Sequence, residues 1–172
     1  MKIAEFEKVS FHQFNRDLKN LCDQEGAYYD NIILPHRATS GSAGYDFCSP
    51  IEVTLEPGES MRIPTGIRCR IDDGYVLELY PRSSFGFKYQ MGLLNTTGII
   101  DADYYHADNE GHIIVGVVNR GAKPMTIREK DRFVQGVFLK YYLAEEEDVE
   151  EKRHGGFGST DTCAHSSNGS SI

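Results

Sequence analysis

With 172 residues, 40% hydrophobic and 26% charged, the chain can bury one sizeable core and is too short to argue for two. A net charge of -8 argues against direct binding of duplex nucleic acid, which demands a basic face; a small anionic ligand would need a local cluster of cations within the acidic whole. No apolar run approaches the roughly 18 residues of a membrane span, the opening MKIAEFEKVS lacks a signal-peptide stretch, and Cys22, Cys48, Cys69 and Cys163 show no paired spacing. These features predict a cytoplasmic protein with reduced thiols and no membrane contact.

In chain order, residues 1–30 form an N-terminal segment whose stretch from Ser10 to Gln24 predicts a helix, with Phe11, Phe14, Leu18, Leu21 and Cys22 on one face. Ser10 and Gln13 fit a capping box, Val9 and Phe14 a hydrophobic staple, and Gly26 a stop. Over residues 31–143 the pattern changes to short β-branched or aromatic runs, among them IEVTL, YVLELY, HIIVGVV and RFVQGVFLKYY, separated by EPGE, DDG, DNEG and NRGAKP. That spacing predicts a mainly β domain, a sandwich or jelly roll, with no intervening helices. Residues 144–172 open with the like-charged run AEEEDVEEK and continue as a Gly/Ser-rich tail, which reads as an acidic linker and a flexible C-terminal arm.

Five segments could carry chemistry: SAGYDF (42–47), PRSSFGFK (81–88), NTTGIIDADYY (95–105), DRFVQGVF (131–138) and GGFGST (155–160). Directly after the strand YVLELY, Arg82, Ser83 and Ser84 can offer a bidentate cation and O–H donors to phosphate oxygens. In NTTGIIDADYY, Asn and Gly favour a tight hairpin, Ile99 and Ile100 can wall a pocket, and Asp101 and Tyr104 follow on the outgoing strand. A carboxylate such as Asp101 is ionised at neutral pH and can accept a proton from water. Taken singly, Asp46, Arg132 and Gln135 read as strand-end polar residues. GGFGST is a Gly-rich tail, and no GxxxxGK[ST] phosphate loop exists in the chain.

Together, and in this order, the five segments resemble the motifs of the trimeric dUTP diphosphatase (dUTPase) family over about residues 31–160. The resemblance implies a distorted jelly roll of the β-clip, dUTPase-like type, a homotrimer with shared sites, Mg²⁺, and hydrolysis of dUTP to dUMP and pyrophosphate, which limits uracil in DNA and supplies dUMP for dTTP synthesis. It assigns the water-activating carboxylate to Asp101, uracil recognition to Asn95, Gly98 and Ile100, and exclusion of a ribose 2′-hydroxyl to Tyr104. Arg82, Ser83 and Ser84 inherit the triphosphate grip, Arg132 a phosphate or structural cation, and Gln135 an amide near the α-phosphate. Asp46 matches the residue beside Mg²⁺, acting through metal-bound water. In the arm, Phe157 would stack on uracil, Gly158, Ser159 and Thr160 would cradle phosphates, and Arg153, in preference to Lys152, would meet the γ-phosphate.

Two departures stand out. The arm reads Lys152-Arg153-His154 where relatives show an arginine and a glycine, and an acidic insertion at His106 to Gly111 follows Tyr104. His106, Asp108, Glu110 and His112 could bind a metal by composition, but the spacing favours a solvated loop. Two alternatives are a dCTP deaminase-related enzyme and a nucleotide-gated binding protein that presents the insertion or the first helix to a regulatory partner.

Overall fold

Short antiparallel strands dominate the computed structural model, which describes residues 1–19 and 28–145. In chain order they are β1 (Ala4–Lys8), helix α1 (Phe11–Leu18), β2 (His36–Arg37), β3 (Tyr45–Cys48), β4 (Val53–Leu55), β5 (Ser60–Pro64), β6 (Ile67–Ile71) and β7 (Tyr75–Pro81). Helix α2 (Ser83–Tyr89), β8 (Met91–Leu93), β9 (Gly98–Ile100), β10 (Ile114–Asn119), β11 (Met125–Ile127) and β12 (Arg132–Lys140) complete the set. The largest sheet has the order β2-β3-β12-β7-β9; β5-β10-β8 form a second, and β1-β6 and β11-β4 pair separately. Inward residues of every strand except the exposed β2, with Phe14 and Leu18 of α1, share one core in which Phe47, Ile63, Leu77 and Phe133 are fully buried.

The mainly β expectation holds, with two additions. Residues Ser83–Tyr89 form a second helix where no helix was expected, and Ala102–His106 form a 3-10 helix where a continuing strand was expected. In α1 the Ser10 hydroxyl accepts the Gln13 N–H at 3.1 Å, and the staple pair Val9 and Phe14 is buried, as the sequence predicts. The expected extension of this helix to Gln24 falls partly on residues 20–27, outside the described residues.

The other half of the capping box comes from an unexpected place. Gln13 donates to Asp17 instead, and the Ser10 N–H and O–H donate to the Glu110 carboxylate at 2.7 and 2.6 Å. Fully buried His112 meets Asp17 through Nδ1 at 2.6 Å while its Nε2 accepts the Gly66 N–H at 2.8 Å. Because a backbone N–H can only donate, Nε2 must be unprotonated and Nδ1 carries the proton toward Asp17. The insertion is therefore a clasp that closes on α1, which corrects the solvated-loop reading for Glu110 and His112, while His106 and Asp108 are exposed. Gly111 makes its return possible: at φ +69 a Cβ would lie 2.7 Å from the Tyr104 carbonyl and the Tyr105 Cα.

Glu110 gives the clasp a pH signature. The Ser10 hydroxyl, then the Ser10 backbone N–H, hold its carboxyl below the ordinary glutamate range. A folded value below the unfolded one, about 4.3, means that the stabilisation is complete above the unfolded value and is lost as pH falls through the folded one. Urea denaturation from pH 7 to pH 3 should show this loss in the parent and not in Glu110→Gln, and Ser10→Ala should cost about 1 kcal/mol at pH 7. Matching pH curves for parent and Glu110→Gln would contradict the clasp.

Candidate functional site

The register of β9 on β7 builds the first half of the site. Leu79 pairs with Gly98 and Leu77 with Ile100, which leaves the opposite edge of β9 without a ladder partner among the described residues. Gly98 permits the close approach, since a Cβ there would sit 3.1 Å from the Leu79 Cβ. Beside this edge lies a pocket of about 160 Å³, lined by Asn95, Gly98, Ile99, Ile100 and Tyr104 on one side and by Ile113–Gly116 across from them. Apolar walls combined with the unladdered peptide groups of an edge strand suit a planar ring read by hydrogen bonds at its rim.

Tyr104 is buried, and its hydroxyl points into the clasp: it donates to the His112 carbonyl at 2.9 Å and accepts from Asn109 Nδ2 at 2.8 Å. Asp101 lies between the lining residues Ile100 and Tyr104 and heads the 3-10 helix, its carbonyl accepting the Tyr104 N–H at 3.2 Å. Asp101 and Tyr104 thus share one turn rather than a strand. Ahead of β9, Thr96 has φ +66, a conformation that costs a β-branched residue about 1–2 kcal/mol.

A second group forms at the far end of β7. Asp46 on β3 is buried, and Arg82 Nε and Arg132 Nη1 each lie 3.3 Å from one of its carboxylate oxygens. Gln135 stands opposite Asp46 in the β3–β12 ladder, and the Arg82 N–H donates to the Phe133 carbonyl. Arg82 heads α2 in an extended conformation, with Ser83 and Ser84 exposed in the first turn. A carboxylate held between two guanidinium groups leaves a net positive cluster, the local exception that an anionic ligand needs in a chain of charge -8.

The two groups do not meet within one chain. Continuing the β7–β9 register places Asp101 beside Val76, six residues before Arg82, so the two are roughly 20 Å apart along the strand. Arg153, Phe157, Gly158, Ser159 and Thr160 lie outside the described residues. Among the described residues no group of three or more His, Cys, Asp or Glu converges as metal ligands, and Glu110, His112 and Asp17 are committed to one another's elements. Sequence reasoning missed Asn109 as a partner of Tyr104; the only local sign of it is the turn sequence Asp-Asn-Glu-Gly.

The dUTPase family model matches residues 30–162. The deoxyuridine 5′-triphosphate nucleotidohydrolase of Lactococcus lactis is 42% identical over 132 residues, covering 75% of this chain and 88% of the relative. The Alcanivorax borkumensis protein of the same description is 39% identical over 137 residues, covering 75% and 88%. The Streptococcus mutans dUTPase structure superposes with a TM-score of 0.64 at 32% identity, covering 81% of this chain and 98% of its own. The D95N dUTPase of Staphylococcus aureus phage phi11, described with a structural Mg(II) ion, shares the fold at 23% identity and TM-score 0.64, covering 87% and 98%.

Asp46→Asn keeps the shape of the side chain and removes the charge that pairs both arginines. It should cost about 2 kcal/mol in denaturant unfolding at pH 7. Unchanged stability would mean that the arginines do not depend on that carboxylate.

Proposed function

The chain belongs to the dUTPase family and hydrolyses dUTP, and from that premise we propose that water attacks the α-phosphate in line at sites shared among three copies of the chain. The observation that carries this reading is the single pocket bringing Asn95, Gly98, Ile100 and Tyr104 together, with Asp101 between two of its lining residues.

In this reading uracil enters the slot beside β9, where peptide groups and the Asn95 amide meet its polar rim. Thymine's methyl group finds the walls too close, and cytosine presents donors where acceptors are wanted, leaving groups unpaired at about 1–3 kcal/mol each. The Tyr104 ring packs under the sugar and denies space to a 2′-hydroxyl. Asp101 orients the attacking water and accepts its proton. Arg82, Ser83, Ser84, Arg132 and Gln135 grip the phosphates, so most of the rate comes from positioning and charge neutralisation.

Mg²⁺ fits this donor set, because the ion takes direct ligands largely from substrate phosphates and keeps several waters. The Asp46 carboxylate accepts from Arg132 through one oxygen and lies beside Arg82 with the other, and its remaining lone pairs could take a metal-bound water, so Asp46 is the side chain assigned to it. When bound, the ion neutralises charge developing on the phosphates. From the arm, Arg153, Phe157, Gly158, Ser159 and Thr160 would close over the ligand.

Two features support the trimer. A triphosphate is far shorter than the roughly 20 Å between Asp101 and Arg82, so the two must come from different copies to act on one substrate. In addition, Val137 and Ile99 flank Glu78 in one row across β12, β7 and β9, where Ile99 is 52% exposed and nearby Leu139 is 40% exposed, so this side of the sheet carries exposed apolar residues that call for a cover. A cytoplasmic setting is in keeping with the free, buried Cys48 and Cys69, the latter pushed up to about 12 by burial.

Pyrophosphate release with Mg²⁺ should be rapid for dUTP and weak for dTTP, dCTP and UTP; ammonia release from dCTP would instead indicate deamination. Asp101→Asn should lower kcat by at least about 100-fold while dUTP still binds. Parent-like turnover in that variant would remove Asp101 from the role of base.

A further inference from the structure

We propose that Asn109 is the positioning residue that fixes the Tyr104 ring and so sets the discrimination between deoxyribo- and ribonucleotides, an inference that rests on reading the pocket as the base and sugar site. Tyr104 lines the pocket, but its hydroxyl is held by Asn109 and His112, neither of which is in the lining. That hydroxyl has two bonds of opposite sense, donating to the His112 carbonyl and accepting from Asn109 Nδ2. With both in place the ring is fixed at its far end as well as at its Cβ. Without the Asn109 donor the hydroxyl loses one of these two anchors, and the ring can tilt by the small distance that separates excluding a hydroxyl from accepting one.

Asn109 is suited to this task because its own position is tightly determined. Its Oδ1 accepts the Gly111 N–H at 3.2 Å, and its Nδ2 also reaches the His112 carbonyl at 3.3 Å. The residues that follow are pinned to the body of the protein: Glu110 to Ser10, and His112 to both Asp17 and Gly66. Asn109 is absent from the pocket lining, so it acts on the substrate only through Tyr104. In this arrangement α1 and the insertion, neither of which supplies a group to the chemistry, form the brace against which the tyrosine is held.

Asn109→Asp separates this role from a purely structural one, because it keeps the Oδ1 acceptor for the Gly111 N–H and loses the Nδ2 donor. Steady-state kinetics on dUTP and UTP with Mg²⁺ should show the ratio of kcat/KM values, dUTP over UTP, falling about tenfold. The change should come chiefly from a lower KM for UTP, with kcat for dUTP within about twofold of the parent. Tyr104→Phe should lower the ratio on its own, and adding Asn109→Asp to it should change nothing further, since the hydroxyl acceptor is gone. An unchanged ratio in Asn109→Asp, or additive effects in the double variant, would overturn the proposal. If Asn109→Asp does not fold, an unchanged ratio in Tyr104→Phe overturns it equally. A parent enzyme that turns over UTP as readily as dUTP would instead sink the reading of the pocket itself.

Discussion

The antiparallel register of β7 is the constraint on which the rest depends. Its inward residues Leu77 and Leu79 are buried, and pairing them with Ile100 and Gly98 sets the hairpin that walls the pocket. The same strand runs on through Pro81 to Arg82, and β12 on its other side sets Gln135 opposite both Tyr80 and Asp46. A one-residue slip on either side of β7 would turn leucines outward and disperse both groups of polar side chains at once. Stability and function therefore draw on the same hydrogen-bond ladder. Because β9 runs against β7, the ladder sends Asp101 to one end of the strand and Arg82 to the other, and this geometry motivates the proposal of sites shared between copies.

A second level of organisation surrounds Tyr104. The segment after it turns on Gly111 and supplies Asn109, Glu110 and His112 to three different partners. Burial alone would raise the Asp17 carboxyl, but hydrogen bonds from His112 and Gln13 outweigh it and hold the group below its ordinary range. A charged Asp17 against a neutral imidazole keeps a polar contact satisfied beside the apolar core, where an unmatched group would cost 1–3 kcal/mol or more. The N-terminal helix is capped by its own Ser10, but the acceptor that holds Ser10 and one of the helix's side-chain anchors come from residues about a hundred positions away in the chain.

How much of this was legible in the sequence depended on range. Strands such as YVLELY and RFVQGVF announce themselves because alternation and β-branching act over a few residues, and Ser10 with Val9 and Phe14 mark a helix start for the same reason. Helix α2 was hidden because SSFGFKY is poor in strong helix formers; its seven residues follow the extended Arg82 and end on Gln90 in the left-handed region. The Ala102–His106 turn likewise has no local signature that separates it from a strand. Asn95, Gly98, Ile100 and Tyr104 could be named together only through the family resemblance, and the structure gathers them in one pocket. Glu110 and His112 were misread as solvated because their partners, Ser10 and Asp17, lie far outside any local window.

The most direct test of the shared-site account is subunit mixing. Asp101→Asn and Arg82→Ala copies, each inactive when assembled alone, should be unfolded together, refolded as a mixture and assayed for pyrophosphate release from dUTP. If each site takes Asp101 from one copy and Arg82 from another, random assembly restores intact pairs at roughly a quarter of the sites, and activity should return in that proportion. A mixture as inactive as its two parents would show that both residues must come from the same chain, against the geometry of β7.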